Sequence, residues 1–479
     1  MKRSLAFLSL LICTITPPAA RADTPSSAKQ EAVASIDRQR ADMTELSDQI
    51  WAFAETALRE TRSAKLMADY AEAQGFDVER GVAEMPTAFI ASYGKGRPII
   101  GIMGEYDALP GISQQAQTTR QALEEGAAGH GCGHNLFGPA SLAAAVAIKE
   151  LIATDELKGT IRFYGTPAEE DVGGKVYMLR EGLFDDVDIA LAWHPSDEIA
   201  ADTDGSQAMV SVLVEFRGVT AHAAADPWNA RSALDGAELF TFAINLMREH
   251  VQPTVRMHYV FADGGDVPNV VPDHAKVWLW LRDSEHTGVE KLIVRARAAA
   301  EGAALATETE STFTIDSGSY EMLVNLEGAK LIHQNMAWLG PVEFTEQEQK
   351  FARAIQRETG VEPSGLKGEV EPLDLTRRAP EGGSTDVADV SWVVPTLHLS
   401  VTTAAQGAPW HAWPVVATSG MSIGHKGMVY AAKALAATMV DLYENPEQRA
   451  AIANEFEEQT EDFKLKFYIP EGPPPVPND

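Results

Sequence analysis

The chain has 479 residues, 45% of them hydrophobic and 8% aromatic. That is more polypeptide than one small core needs, so two or more globular domains are expected. Its 39 Lys plus Arg against 69 Asp plus Glu give a formal charge of −30, which argues against nucleic-acid or anionic-membrane partners, and two cysteines exclude a disulfide-dense scaffold.

In chain order, the first element reads as a targeting segment. Lys2 and Arg3 precede an apolar run from Leu5 to about Thr16, and Ala20-Arg21-Ala22 supplies small residues for cleavage after Ala22. The run is shorter than the ~20 residues a membrane span requires, so no stable membrane insertion is expected. Cleavage removes Lys2, Arg3, Arg21 and no acidic residue, leaving 36 basic against 69 acidic groups and a charge of −33. It also removes Cys13. The mature chain, expected in the periplasm or secreted, then carries Cys132 alone and forms no internal disulfide.

From about Ser27 to Ala73 the apolar spacing of Ile36, Met43, Leu46 and Ile50 predicts helix, with Gly75 as a stop. Short apolar runs follow at Ala88 to Tyr93, Ile99 to Met103, Thr160 to Tyr164 and Val187 to Trp193. Helical segments at Ser141 to Ile152 and Lys175 to Arg180 alternate with them, which predicts an α/β sheet covered on both faces. Near Met209 the texture changes. Strands at Val210 to Phe216, Arg256 to Phe261, Ala275 to Arg282 and Thr312 to Ile315 alternate with helices at Ser232 to Glu249 and Val289 to Ala306. The order βαββαβ is that of a ferredoxin-like module inserted in the first domain. The expected division is a targeting segment at 1–22, two parts of the α/β domain at 23–208 and 323–469, an inserted domain at 209–322, and a proline-rich tail at 470–479. The last long helix is expected at about Gly427 to Leu442.

Polar clusters follow the predicted strand ends: Glu105-Tyr106-Asp107, Glu169-Glu170-Asp171 and His194. Ligands of open α/β sheets bind beyond the carboxyl ends of strands, so one crevice is implied. Gly129-His130-Gly131-Cys132-Gly133-His134-Asn135 adds a thiol and an imidazole two residues apart, freed by glycines to turn towards one metal. Each piece alone has an ordinary reading, as a buried apolar cysteine, a structural histidine or a solvated acidic face. Together, thiolate, imidazole and carboxylate suit zinc, with Mn, Co or Ni suited to sites richer in nitrogen and oxygen.

These segments resemble the amidohydrolase branch of the aminoacylase/carboxypeptidase superfamily of two-metal peptidases. The likeness is carried by Gly104-Glu105-Tyr106-Asp107-Ala108-Leu109-Pro110-Gly111, the Gly-His-Gly-Cys-Gly-His-Asn run and Pro167-Ala168-Glu169-Glu170. It continues through Gly218-Val219-Thr220-Ala221-His222-Ala223-Ala224 and Pro268-Asn269-Val270-Val271-Pro272-Asp273, and it spans nearly the whole mature chain. The resemblance implies a zinc-peptidase-like catalytic domain with an inserted lid, a homodimer formed through that lid, and room for a related second subunit.

It also implies two divalent ions per subunit, Zn or Mn foremost, then Co or Ni, held by Cys132, His134, Glu170, His194 and one C-terminal histidine. His411, in Ala408-Pro409-Trp410-His411-Ala412-Trp413, matches the closing histidine loop better than His425, whose ordinary reading is a packing residue at a helix start. Glu169 is implied as general base, Asp107 as the carboxylate that orients a ligand histidine, and His222 as an oxyanion donor reaching across the dimer. Asn269, Arg282 and Gly383 are implied at the substrate's polar end. Glu105 stands where the family has Asp or His, and whether it touches metal is open. The activity implied is cleavage of an amide joining an acyl or aroyl group to an amino acid. The alternatives are a dipeptidase or carboxypeptidase of the same superfamily and a periplasmic binder of amino-acid conjugates without turnover.

Overall fold

The computed structural model describes residues 25–376, 380 and 382–477, so the targeting segment expected at 1–22, with Cys13, lies outside the described residues. Six strands precede the lid: β1 (Asp77–Arg80), β2 (Phe89–Gly94), β3 (Ile99–Gly104), β4 (Thr160–Gly165), β5 (Ile189–Ser196) and β6 (Ala200–Ala201). The lid holds β7 (Ala208–Arg217), β8 (Arg256–Asp263), β9 (His274–Asp283) and β10 (Glu310–Ser319), and β11 (Thr396–Thr402) returns to the first sheet.

The first sheet runs β1-β2-β4-β3-β5-β11-β6. Its centre, β4-β3-β5-β11, is parallel, with Gly104 opposite Gly165, Ile102 opposite Leu191 and His194 opposite Ser400. Near-continuous burial of Ile100 to Met103 and of Ile189 to Trp193 is what strands covered on both faces require. The helix His134–Ala153 packs on β3, β4 and β5 and is flanked by helices Ser27–Phe53 and Ser422–Glu444. It is long and apolar enough to cross a membrane, yet Leu136, Phe137, Leu142, Val146 and Ile148 are buried inside the domain. Each such side chain contributes roughly 1.5–3 kcal/mol of burial, so the helix is a core element.

That helix starts seven residues earlier than its apolar pattern suggests. Gly133, at φ 79°, turns the chain into the helix, and Pro139 sits inside it. A proline there removes one ladder donor, and the neighbouring Gly138 N–H donates outside the helix to the Glu105 carbonyl at 3.0 Å. The early start places His134 in the first turn. The expected Ser27–Ala73 helix is likewise divided into Ser27–Phe53 and Thr61–Ala73, broken where Ala54 takes φ 43°.

The lid sheet runs β10-β7-β9-β8, all antiparallel, with helices Ala233–Met247 and His286–Thr307 packed on it. Numbered within the lid this is order 4-1-3-2 with βαββαβ connectivity, the ferredoxin-like arrangement. Val210, Val212, Val214 and Phe216 of β7 and Val277, Leu279 and Leu281 of β9 fill its core against Phe240, Ile244, Leu292 and Ile293. The proline-rich tail forms no helix or strand in its described part, but Pro474 is buried in it, and Tyr468 just before it packs into the lid core.

Candidate active site

Glu105 to Asp107 and Glu169 to Asp171 lie beyond the carboxyl ends of β3 and β4, whereas His194, expected just after its strand, lies inside β5, which runs on to Ser196 paired with β11; a loop after β11 joins them. Glycines permit the crowding. A Cβ on Gly131 would lie 2.3 Å from the Ile112 side chain and 3.3 Å from the backbone of His411 and Ala412. The bare backbone lets the two loops meet, and the His411 N–H donates to the Gly131 carbonyl at 3.1 Å. His411 itself adopts φ 53°, an unusual conformation for a side-chain-bearing residue.

Ligand-capable atoms of three groups converge to within 4.8 Å of one another: Cys132, His134 and His194; Cys132, Glu170 and His411; and Glu105, His134 and Glu169. Cys132 belongs to two of these groups. Its Sγ lies 3.4 Å from His194 Nε2, while His194 Nδ1 is 2.7 Å from the Pro195 carbonyl. A proton on Nδ1 donated to that carbonyl leaves Nε2 as the lone-pair nitrogen facing the thiol. On the other side, His411 Nε2 lies 3.4 Å from Glu170 Oε2. His425, in contrast, pairs with Asp48 at 2.9 Å on the helix Ser422–Glu444 and belongs to none of the three groups.

His134 is held from both ends. Asp107 Oδ1 takes its Nδ1 at 2.9 Å, and Glu105 Oε2 lies 3.0 Å from its Nε2. The other Asp107 oxygen accepts the Glu170 N–H at 2.9 Å, so one carboxylate fixes both a candidate ligand ring and the backbone of a candidate ligand carboxylate. His134 Nε2 and Glu105 Oε2 face each other at 3.0 Å without hydrogen-bond alignment, and Glu170 Oε1 is buried without a hydrogen-bond partner. Orphaned buried acceptors and an imidazole nitrogen beside a thiol are a donor set that fits divalent cations.

The electrostatics are those of crowded acids. Burial first, then Glu105 and Glu170, pushes the Glu169 carboxyl well above its ordinary value, and burial pushes Glu170 up to about 7. Burial likewise raises the Cys132 thiol, with Glu170 adding to it, and lowers His194 to about 4.

The lid residues stand apart from this cluster. His222 and Asn269 are exposed on neighbouring lid loops, where the Asn269 carbonyl accepts the Ala223 N–H at 3.0 Å. His222 Nδ1 accepts the N–H groups of Ala224 and Ala225 at 3.1 and 3.2 Å, which puts the ring proton on Nε2 as an outward donor. Arg282, on β9, donates through Nη1 to Ser384 Oγ at 3.0 Å, and the Gly383 carbonyl accepts the Gln207 N–H at 3.0 Å. These two expected substrate contacts therefore meet where lid and catalytic sheet join.

Lys175, Asp386 and Glu60 are buried ionisable groups around this site that escaped the sequence reading. Lys175 donates to Glu105 Oε1 at 2.7 Å and to Asp386 Oδ1 at 2.5 Å. Glu60 accepts the N–H of Ala168, a residue at φ 61°, at 2.9 Å, and its carboxyl is pushed up to about 8 by burial and then by Asp107. The available signal was a charge inside an apolar segment: Lys175 directly precedes Val176-Tyr177-Met178-Leu179.

A parallel-centred α/β sheet with an inserted ferredoxin-like lid, carrying thiol, imidazoles and carboxylates at its strand ends, defines a metallopeptidase-type hydrolase. Residues 101–462 match the model of Peptidase family M20/M25/M40, and the chain belongs to that family. It is 38% identical over 468 residues to one of the subunits of p-aminobenzoyl-glutamate hydrolase from Escherichia coli (strain K12), covering 92% of this chain and 97% of that protein. It is 29% identical over 451 residues to the Xaa-Arg dipeptidase of Homo sapiens, covering 90% of this chain and 91% of that one. Its fold is shared with a Bacillus subtilis protein described as a dinuclear metal binding peptidase from the M20 family, at a TM-score of 0.59 and 16% identity, over 85% of this chain and 99% of that one. The chain is an amide-bond hydrolase.

Proposed function

We propose that the protein is a metal-dependent amidohydrolase that cleaves the amide of N-acyl or N-aroyl amino acids, with p-aminobenzoyl-glutamate as the first substrate to try. The observation that carries this reading is Cys132, which belongs both to the group with His134 and His194 and to the group with Glu170 and His411. A thiolate so placed suits two cations ~3.5–4 Å apart. Cys132, His134, Glu170, His194 and His411 would hold two divalent ions, Zn or Mn foremost. Bound there, the ions would polarise the scissile carbonyl and make water a better nucleophile at neutral pH.

The chain's own residues do the rest. Glu169 takes the proton of the attacking water and passes it to the leaving amine, a role that its place beside the candidate ligands Glu170 and His134 favours. Asp107 fixes the ring of His134. His222 donates from Nε2 to the developing oxyanion, and Arg282, with Asn269 and Gly383, receives the amino acid's carboxylate.

His222 acts on the partner subunit of a homodimer built through the lid. Supporting this, Leu239, Phe242 and Leu246 line the outer face of helix Ala233–Met247 at 38%, 60% and 59% exposure, and β8 is an edge strand. The 1–22 leader exports the chain, to the periplasm or out of the cell.

A hydrolysis screen of N-acyl, N-aroyl and dipeptide substrates with Zn- or Mn-loaded protein tests the reading, alongside the protein's mass in solution. Release of amino acid from p-aminobenzoyl-glutamate, lost on chelation, is expected. Turnover of dipeptides alone would move the protein to the dipeptidase reading.

A further inference from the structure

Lys175 is fully buried, and two carboxylates share its ammonium. It lies in the first turn of the helix Gly174–Arg180, where a Cβ on Gly174 would come within 2.1 Å of the Pro167 carbonyl. That close approach brings the lysine against the loop that carries Glu169 and Glu170. Asp386 anchors it twice, accepting its backbone N–H at 2.9 Å through Oδ2 and its ammonium through Oδ1. Glu105 then runs from the lysine to the candidate site, Oε1 on Lys175 Nζ and Oε2 at His134 Nε2.

We propose that Lys175 is the resident counter-cation of the active site: its buried ammonium neutralises Glu105 and holds that carboxylate beside His134 before any metal arrives. Lys175 is a positioning residue in this account. Glu105 belongs to a candidate ligand group with His134 and Glu169, and without a fixed cation it would be a buried carboxylate facing another. An uncompensated buried charge is strongly destabilising. The protein therefore need not wait for metal to keep the strand-end loops in place.

The inference rests on the metal-dependent reading, and it makes a prediction that packing does not. Replacing Lys175 with Met removes the counter-charge of both Glu105 and Asp386. The loss at Asp386 is the same with or without metal, whereas a divalent ion near Glu105 and His134 compensates the loss at Glu105. In Lys175→Met the thermal midpoint of chelator-treated protein should fall by roughly 6–10 °C, and that of ZnCl2-loaded protein by about half as much. Lys175→Arg, which keeps the charge, should leave the gap between the two forms close to that of the wild type.

Equal falls in both forms of Lys175→Met would overturn the proposal, as would a gap in Lys175→Arg as wide as in Lys175→Met. If Lys175→Met fails to fold without metal, added ZnCl2 should restore it, and failure in both conditions overturns the proposal too. Zinc counted in the same wild-type samples separates the two ideas. Bound zinc with an unchanged gap in the variant removes the role of Lys175 alone, while no bound zinc removes the metal-dependent reading.

Discussion

Cys132, His134, Glu170 and His194 find their partners within the catalytic unit, whereas His222 and Asn269 stand exposed on the lid and touch little beyond their own loops. In the first region the polar groups are largely buried, and several are oriented by a neighbour: Asp107 on His134, the Pro195 carbonyl on His194, Lys175 on Glu105. In the second, the loop backbone orients His222 and leaves its outward nitrogen with no partner in its own chain among the described residues. The contrast teaches that the catalytic sheet can pre-form a site alone, while the lid carries groups that become useful only when something is brought to them. A second subunit and the substrate are the proposed arrivals.

The contrast can be broken at either end. The larger effect is expected on the lid: His222→Ala should lower kcat by about 10²–10³-fold, the size seen when one oxyanion donor is lost, with metal content and thermal midpoint unchanged. Steady-state kinetics and metal analysis of the same preparation check this. Coexpressing His222→Ala with Glu169→Gln sharpens it, because a mixed dimer pairs an intact Glu169 with the neighbour's intact His222. Random pairing should then recover about a quarter of wild-type turnover. No recovery above the single variants would place His222 in its own subunit's site or outside the reaction.

The smaller effect is expected in the catalytic unit. Asp107→Asn keeps the shape but removes the carboxylate that holds His134 and the Glu170 N–H, and should weaken metal binding by about 10–100-fold. A competitive chelator titration measures it. Unchanged affinity would mean that the ring and the loop are held without Asp107.

Local patterns made much of this legible beforehand. Apolar runs separated by helical segments gave the two-faced sheet, and the βαββαβ order gave the lid, because burial imposes its period on consecutive residues. The cysteine and histidine two apart, the adjacent glutamates and the His411 loop were visible because one short segment carries each group. What stayed hidden depends on distance along the chain. Lys175 meets Glu105 seventy residues away and Asp386 another 211 away, and a lone charge in an apolar segment carries no mark of its partner. The start of the helix at His134 was hidden for a different reason. The apolar spacing starts only at Ser141, while the turn at Gly133 and the bond from the Gly138 N–H to the Glu105 carbonyl carry the helix past Pro139.

The central claim is that Glu169 moves protons at a metal-loaded site which its neighbours build without it. The most direct test is turnover of p-aminobenzoyl-glutamate by Glu169→Gln protein whose bound metal has been counted. The account predicts wild-type metal content with kcat reduced by about 10²–10⁴-fold. Full metal content with kcat near that of the wild type would contradict it.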